Sequence, residues 1–182
     1  MTMGTRIVVM KDGVIQQIAA PQVLYDYPAN VFVASFIGTP QMNFFGGKLA
    51  ADGTVTLTSG QVIRLNAEKM ATLETIEGER EIILGIRPED IHLADDSETE
   101  NVIEARVDVI EALGGEALLY CSLNLEGETS IVAEKSEGAL VAKIGAREPV
   151  SRNEIRRLCL EQARIHVFDK ATEKTLTVAS AK

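Results

Sequence analysis

A mainly β fold is predicted by three observations. Short apolar runs recur from residue 46 onward, and several alternate at the period of two that a half-buried strand requires. Turn dipeptides separate these runs, among them Asp52-Gly53, Ser59-Gly60 and Gly114-Gly115. The stretches with helical spacing are short. Many short strands with regular turn signals argue for a small barrel or sandwich over residues 46–182, preceded by a segment of different character in residues 1–45.

That first segment opens on "RIVVM" and "VIQQIA", two apolar runs separated by "KDG". Asp12-Gly13 supplies the positive φ angles of a tight turn, so the pair reads as a β-hairpin. Pro21 suits the first turn of a helix, where its missing N–H costs nothing. Pro28 disfavours helical geometry at Tyr27 and ends that helix. Asn30 caps a second helix with apolar Phe32, Val33, Phe36 and Ile37 at helical spacing, and Gly38 stops it. A hairpin and two short helices are too small to bury their own apolar faces. Val31, Phe32, Phe36 and Ile37 are therefore expected to lack full cover within residues 1–45.

In the second segment, "GGKLAADGTVTLTSGQVIRL" reads as a meander. "NAEKMATLETIEG" predicts a helix capped by Asn66 and stopped by Gly78, with Met70 and Leu73 on one face. "NVIEARVDVIEAL" alternates, with Ile103, Ala105, Val107 and Val109 on one face and Glu104, Arg106 and Asp108 on the other. "ALLYCSL" returns after Gly114-Gly115 as its hairpin partner, and "TSIVAE", "LVAKI", "EIRRLCLE" and "RIHVF" complete the series. In "SRNEIRRLCLEQ", Ile155, Leu158 and Cys159 also fit a helix, and the spacing leaves both readings open.

The chain of 182 residues is long enough for one good core, or one core plus a fragment of a second, and at 46% hydrophobic it is expected to fold. Its net charge of −9 would repel phosphates, so a nucleic-acid partner is not expected. No apolar run approaches the ~18 residues of a membrane span, and no basic-then-apolar leader opens the chain. Cys121 and Cys159 lack redox or metal spacing and read as reduced structural thiols of a cytoplasmic protein. His92 and His166 are the two histidines, and neither has a His or Cys at ligand spacing, so no metal site is expected. "FFGGKLA" lacks the residues of a phosphate-binding loop: Met42 and Leu49 stand where Gly and Ser or Thr are required. The acids between 89 and 100 read as a solvated loop, and no catalytic triad can be argued.

"GIRPEDIHL", residues 85–93, poses the sharpest question, because a cation, a proline and two acids interrupt an apolar run. Locally it reads as a corner: Pro88 has no N–H for a strand ladder, Glu89 and Asp90 keep the turn wet, and Arg87 would pair with a nearby carboxylate, worth little if exposed. The motif also resembles one in the C-terminal regulatory domain of ABC-importer ATP-binding subunits of the maltose, glycerol-3-phosphate and multiple-sugar type. Three further motifs follow the same order. "RIVVMKDGVIQQIAAPQVLYDYPANVFVASFIGTPQMNFF" resembles the end of the ATPase domain and its linker, with Gly38, Met42 and Asn43. "VIEALGGEALLY" resembles the strand-glycine-strand segment around Gly114. "RIHVFDKATEKTL" resembles the closing strand, with His166, Phe168 and Asp169. Ala20 departs from the family, which commonly has a capping Thr there, and residues 124–139 fit it less well.

The resemblance implies an OB-like regulatory barrel (TOBE type) over 46–182, preceded by a remnant of an α/β ATPase domain over 1–45. Gly38, Met42, Asn43, Gly85, Arg87, Pro88, Glu89, Gly114, His166, Phe168 and Asp169 would be motif residues with structural roles. It implies a strand for "EIRRLCLE". The catalytic elements that use ATP and Mg in the parent subunit lie upstream of Met1, so no catalysis and no cofactor is expected of this piece. The parent would power import of a sugar or sugar derivative, with transmembrane permease subunits and an extracytoplasmic solute-binding protein. It would be cytoplasmic and peripheral to the membrane through the permeases. This segment would serve regulation and homodimerisation. Two other classes compete: an oxyanion-sensing barrel, for which Gly114-Gly115 has few cations nearby, and a nucleic-acid-binding OB module, which needs a basic, aromatic face where this chain has 4% aromatics.

Overall fold

The computed structural model describes residues 4–125 and 138–178. It is mainly β. Strands β1 (Ile7–Lys11) and β2 (Val14–Ala19) form the predicted hairpin. Asp12 and Gly13 have φ of 51° and 79°, as the two central positions of a tight hairpin turn require. Helix α1 (Pro21–Asp26) begins at its proline, and Ala20 at the cap makes no side-chain bond. Helix α2 (Val31–Phe36) is capped by Asn30, whose Oδ1 accepts from the Val33 N–H at 2.9 Å.

Among the described residues, the remaining strands form two five-stranded antiparallel sheets. The first comprises β3 (Asn43–Ala50), β4 (Thr54–Leu57), β5 (Val62–Arg64), β6 (Glu79–Ile86) and β12 (His166–Asp169), in the order β12-β6-β3-β4-β5. The second comprises β7 (Ile91–Leu93), β8 (Val102–Ala112), β9 (Glu116–Ser122), β10 (Ala139–Gly145) and β11 (Ile155–Leu160), in the order β10-β9-β8-β11-β7. One apolar core lies between them. Leu49, Ile82 and Leu84 of the first sheet and Ile103, Val107, Leu119 and Leu158 of the second are fully enclosed in it. "EIRRLCLE" is thus a strand, as the resemblance implies. "TSIVAE" lies outside the described residues.

The structure departs from the sequence-based expectations in three places. Strand β3 begins at Asn43, paired with Ile86, and so runs across the expected division at residues 45 and 46. The helix predicted over 66–78 is a single turn, α3 (Ala67–Met70), capped by Asn66. Beyond it the chain pairs with the C-terminal segment instead. Leu73 bridges Thr177, Glu74 N–H donates to Leu176 O at 2.8 Å, and Leu73 and Ile76 enter the core. Tertiary pairing there overrides helical spacing.

The third departure is in β8, where a bulge between Val107 and Val109 breaks the alternation. Val109 is exposed, while Asp108 is buried and paired with Arg106 Nε at 3.0 Å. In the first segment the apolar residues are, as expected, not all covered within residues 1–45. Ile37 is buried with Val9, Leu24 and Val33, and Val31 and Ala34 pack on Met42 and Phe168 of the barrel. Phe36 remains exposed, as do Val8, Met10, Val14, Ile15 and Ile18 of the hairpin.

Candidate functional site

The interruption in "GIRPEDIHL" marks a change of sheet. β6 belongs to the first sheet and β7 to the second, and the chain crosses between them through Arg87 and a 3₁₀ turn, Pro88–Asp90. Pro88 opens that turn, where no N–H is needed. A second crossing, from β11 to β12, runs through the 3₁₀ turn Gln162–Arg164. The corners lie side by side, because Glu161 N–H donates to Asp90 O at 3.0 Å.

Arg87 does not form the exposed carboxylate pair its neighbours suggest. It is buried, 3% exposed. Its Nη1 donates to Ile37 O at 2.8 Å and its Nη2 to Tyr25 O at 2.7 Å, and the guanidinium lies 3.5 Å from the Tyr25 ring centroid. Tyr25 is in the last turn of α1 and Ile37 caps α2. Carbonyls at helix C-termini lack partners within the helix and carry partial negative charge, so one planar cation satisfies the ends of both helices. Gly38 is required twice over: its φ is +117°, and a Cβ there would stand 2.8 Å from Arg87 Nη1.

Around this bond pair sits a polar cavity of about 190 Å³ lined by Tyr25, Asp26, Glu89, Asp90, Arg164 and His166, among others. Tyr25 Oη donates to Glu89 Oε1 at 2.6 Å. Burial, with that bond, pushes the phenol up to about 12. Burial and the Glu89 charge raise the Asp90 carboxyl to about 6. Burial, reinforced by the Lys69 and Arg87 cations, holds His166 down at about 4. Arg164 pairs with Asp26 at 3.6 Å, tying α1 to the second corner.

The motif residues thus fall into groups. Gly38, Arg87, Pro88, Glu89 and His166 meet at the junction of helices and corners. Met42 and Phe168 form its apolar floor with Ala34, and Gly85 is needed there because a Cβ would lie 2.7 Å from Met42 Sδ. Asn43 instead staples the sheets together. Its Nδ2 donates to Val141 O at 2.8 Å and its Oδ1 accepts from Val141 N–H at 2.7 Å, on edge strand β10. Asp169 organises the turn after β12, accepting from Thr172 N–H and Oγ1 and from Arg80. Those bonds hold its carboxyl down at about 2. Gly114 lies in the β8–β9 turn with φ of 85° and open space around it, apart from these groups. Tyr25, Asp90 and Arg164 were not predicted as site residues; "RPED" itself hinted at Asp90, but nothing local signals Tyr25 or Arg164.

Comparison with known proteins bears directly on this junction. A family profile described as the MalK OB fold domain matches residues 38–91, and one described as the TOBE domain matches residues 84–168. The two overlap over the corner that holds Arg87. The chain is 37% identical over 176 residues to the oligosaccharides import ATP-binding protein MsmX of Bacillus subtilis, covering 95% of this chain and 45% of that protein. It is 37% identical over 180 residues to the trehalose/maltose import ATP-binding protein MalK of Thermococcus litoralis, covering 97% and 45%. It is 40% identical over 174 residues to the putative uncharacterized ABC transporter ATP-binding protein YcjV of Escherichia coli K12, covering 95% and 44%. The chain therefore spans less than half the length of these relatives. The fold also resembles that of the cytoplasmic molybdate-binding protein ModG, with a TM-score of 0.52 at 13% identity over 69% of this chain and 94% of that one. That likeness concerns the fold alone.

Proposed function

The chain belongs to the ATP-binding subunits of sugar-import ABC transporters, as the MalK-type OB-fold and TOBE region of their C-terminal part, and from that premise we propose that its work is regulation and dimerisation rather than chemistry. In this reading the parent subunit hydrolyses ATP to drive uptake of a sugar or sugar derivative, docked on permease subunits and supplied by a solute-binding protein. The segment itself contributes a rigid link between the end of the ATPase domain and the barrel, and a surface through which two barrels meet.

The observation that carries the reading is the Arg87 junction. One buried guanidinium bonds the C-terminal ends of both helices to the point where the barrel changes sheets. Displacement of the helices is therefore transmitted to both barrel corners, not absorbed by a loose linker. The exposed apolar residues of the hairpin, together with Phe36, offer the face for the remainder of an ATPase domain.

Light scattering of the 182-residue chain at rising concentration tests the dimer. A two-fold pair through the barrel is expected. It should persist when the apolar hairpin face is made polar by Ile15→Glu with Phe36→Glu. A monomer at high concentration, or a dimer abolished by those two changes, would sink the barrel contact.

A further inference from the structure

His92, Glu98 and Cys159 converge at the edge of the second sheet, on β7, the loop after it and β11. β7 is an edge strand, and its antiparallel register with β11 sets Cys159 directly opposite His92. The following loop brings Glu98 back over the pair, with Glu98 Oε1 2.8 Å from His92 Nε2. One imidazole nitrogen, one carboxylate oxygen and the thiol sulfur all lie within 4.8 Å of one another. Sequence spacing gave no hint of this, because the ligand types come from two paired strands and a loop.

The loop is held in this arrangement from outside. Arg157, on β11, donates to Asp95 O and Glu98 O. Asp95 N–H donates to Glu98 Oε2 at 3.0 Å, which leaves Oε1 turned to the imidazole. The Cys159 thiol donates to Glu100 O at 4.0 Å, from the same loop.

We propose that His92, Glu98 and Cys159 bind one divalent, borderline-soft metal ion of the Zn²⁺ class. Bond lengths of about 2.0–2.3 Å at a tetrahedral angle require ligand atoms about 3.3–3.6 Å apart. The imidazole and carboxylate atoms stand 2.8 Å apart and all three ligand atoms within 4.8 Å of one another, so modest side-chain rotation of the half-exposed His92 and of Glu98 would bring them to that spacing. On binding, the Cys159 S–H bond breaks, its proton passes to solvent, and a metal–sulfur bond forms. Thiolate and carboxylate together neutralise the ion. His92 has a half-exposed side chain, which leaves the cluster open to solvent on that side. Imidazole and thiolate disfavour Mg²⁺ and Ca²⁺, which seek oxygen ligands. This site is independent of the transport reading above.

Titration of the reduced 182-residue chain with Co²⁺, a spectroscopic stand-in for Zn²⁺, tests it. A thiolate-to-cobalt charge-transfer band saturating at one equivalent is expected, displaced by Zn²⁺. Cys159→Ala should abolish the band, and Cys121→Ala, in the core strand β9, should leave it. His92→Gln alters an exposed side chain and should weaken Co²⁺ binding at least about tenfold, the lower range for disturbed metal sites. The absence of a saturating band, its survival in Cys159→Ala, or an unchanged affinity in His92→Gln would each overturn the proposal.

Discussion

Replacing Arg87 with Ala removes two hydrogen bonds of 2.8 and 2.7 Å and a face-on contact with Tyr25. Charge-assisted bonds are worth about 1.5–3 kcal/mol each, and a desolvated cation–π contact about 2. These do not add, because burying the guanidinium carries its own desolvation cost, which the variant escapes. The two carbonyls left unpaired do not escape theirs. Breaking one side of a buried charged network typically costs about 3–5 kcal/mol. At about 2–4 °C per kcal/mol for a chain of this size, the melting point should fall by roughly 6–20 °C.

Arg87→Lys should lose an intermediate amount, since an ammonium keeps the charge but not the planar fork. Glu89→Gln should cost under about 1 kcal/mol, because the Tyr25 bond it accepts is exposed and an amide oxygen replaces it. Urea unfolding gives the global values. Amide exchange over residues 21–38 reports whether the helices loosen first. An Arg87→Ala chain within about 1 kcal/mol of the parent, with unchanged exchange over 21–38, would refute the idea that this residue fastens the helices.

Asp90 and Gly38 offer independent checks. The Asp90 carboxyl titrates near 6 in the folded chain, above its ordinary unfolded value, chiefly through burial and then Glu89. The folded state therefore holds the extra proton between about 4 and 6, and this residue's contribution to stability declines as pH rises through that window. Asp90→Asn should gain on the parent across the same window and level off above it, as read by urea midpoints from pH 4 to 7. A constant difference would contradict the assignment. Gly38→Ala meets both a φ of +117° and Arg87 Nη1 at 2.8 Å. It should cost about 1–3 kcal/mol for the backbone alone and little further when Arg87→Ala is already present, which a double-mutant cycle in urea would show.

What the sequence disclosed was mostly local. Asp12-Gly13, Pro21, Pro28 and Asn30 each act through a few neighbouring residues, and the hairpin and both helices stand where those residues put them. The β8 bulge was hidden because Asp108 is an acid at what alternation makes a solvent position, and only the partner strand shows that the register shifts there. The helix over 66–78 failed because Leu73 answers to Thr177 and not to Asn66. In the junction, "RPED" marked the right corner, but Arg87 bonds to main-chain carbonyls 50 and 62 positions away. A carbonyl belongs to every residue, so no side-chain pattern points to it. The acids beside Arg87 were the visible partners and the wrong ones.

The surface that receives α2 is assembled from the far end of the chain. Val31 N–H donates to Glu173 O, Thr175 N–H donates to Ala29 O, and Val31 and Ala34 rest against Phe168. During synthesis α2 leaves the ribosome well over a hundred residues before the strand and turn that seat it. Contacts of such sequence separation form late and slowly. Until β12 and the turn after Asp169 have emerged, the apolar side of α2 waits uncovered beside an already apolar hairpin. A ribosome that stalls before residue 168 therefore presents the cell's chaperones with one continuous sticky face. The closing strand of the barrel serves as the chain's own release from that risk.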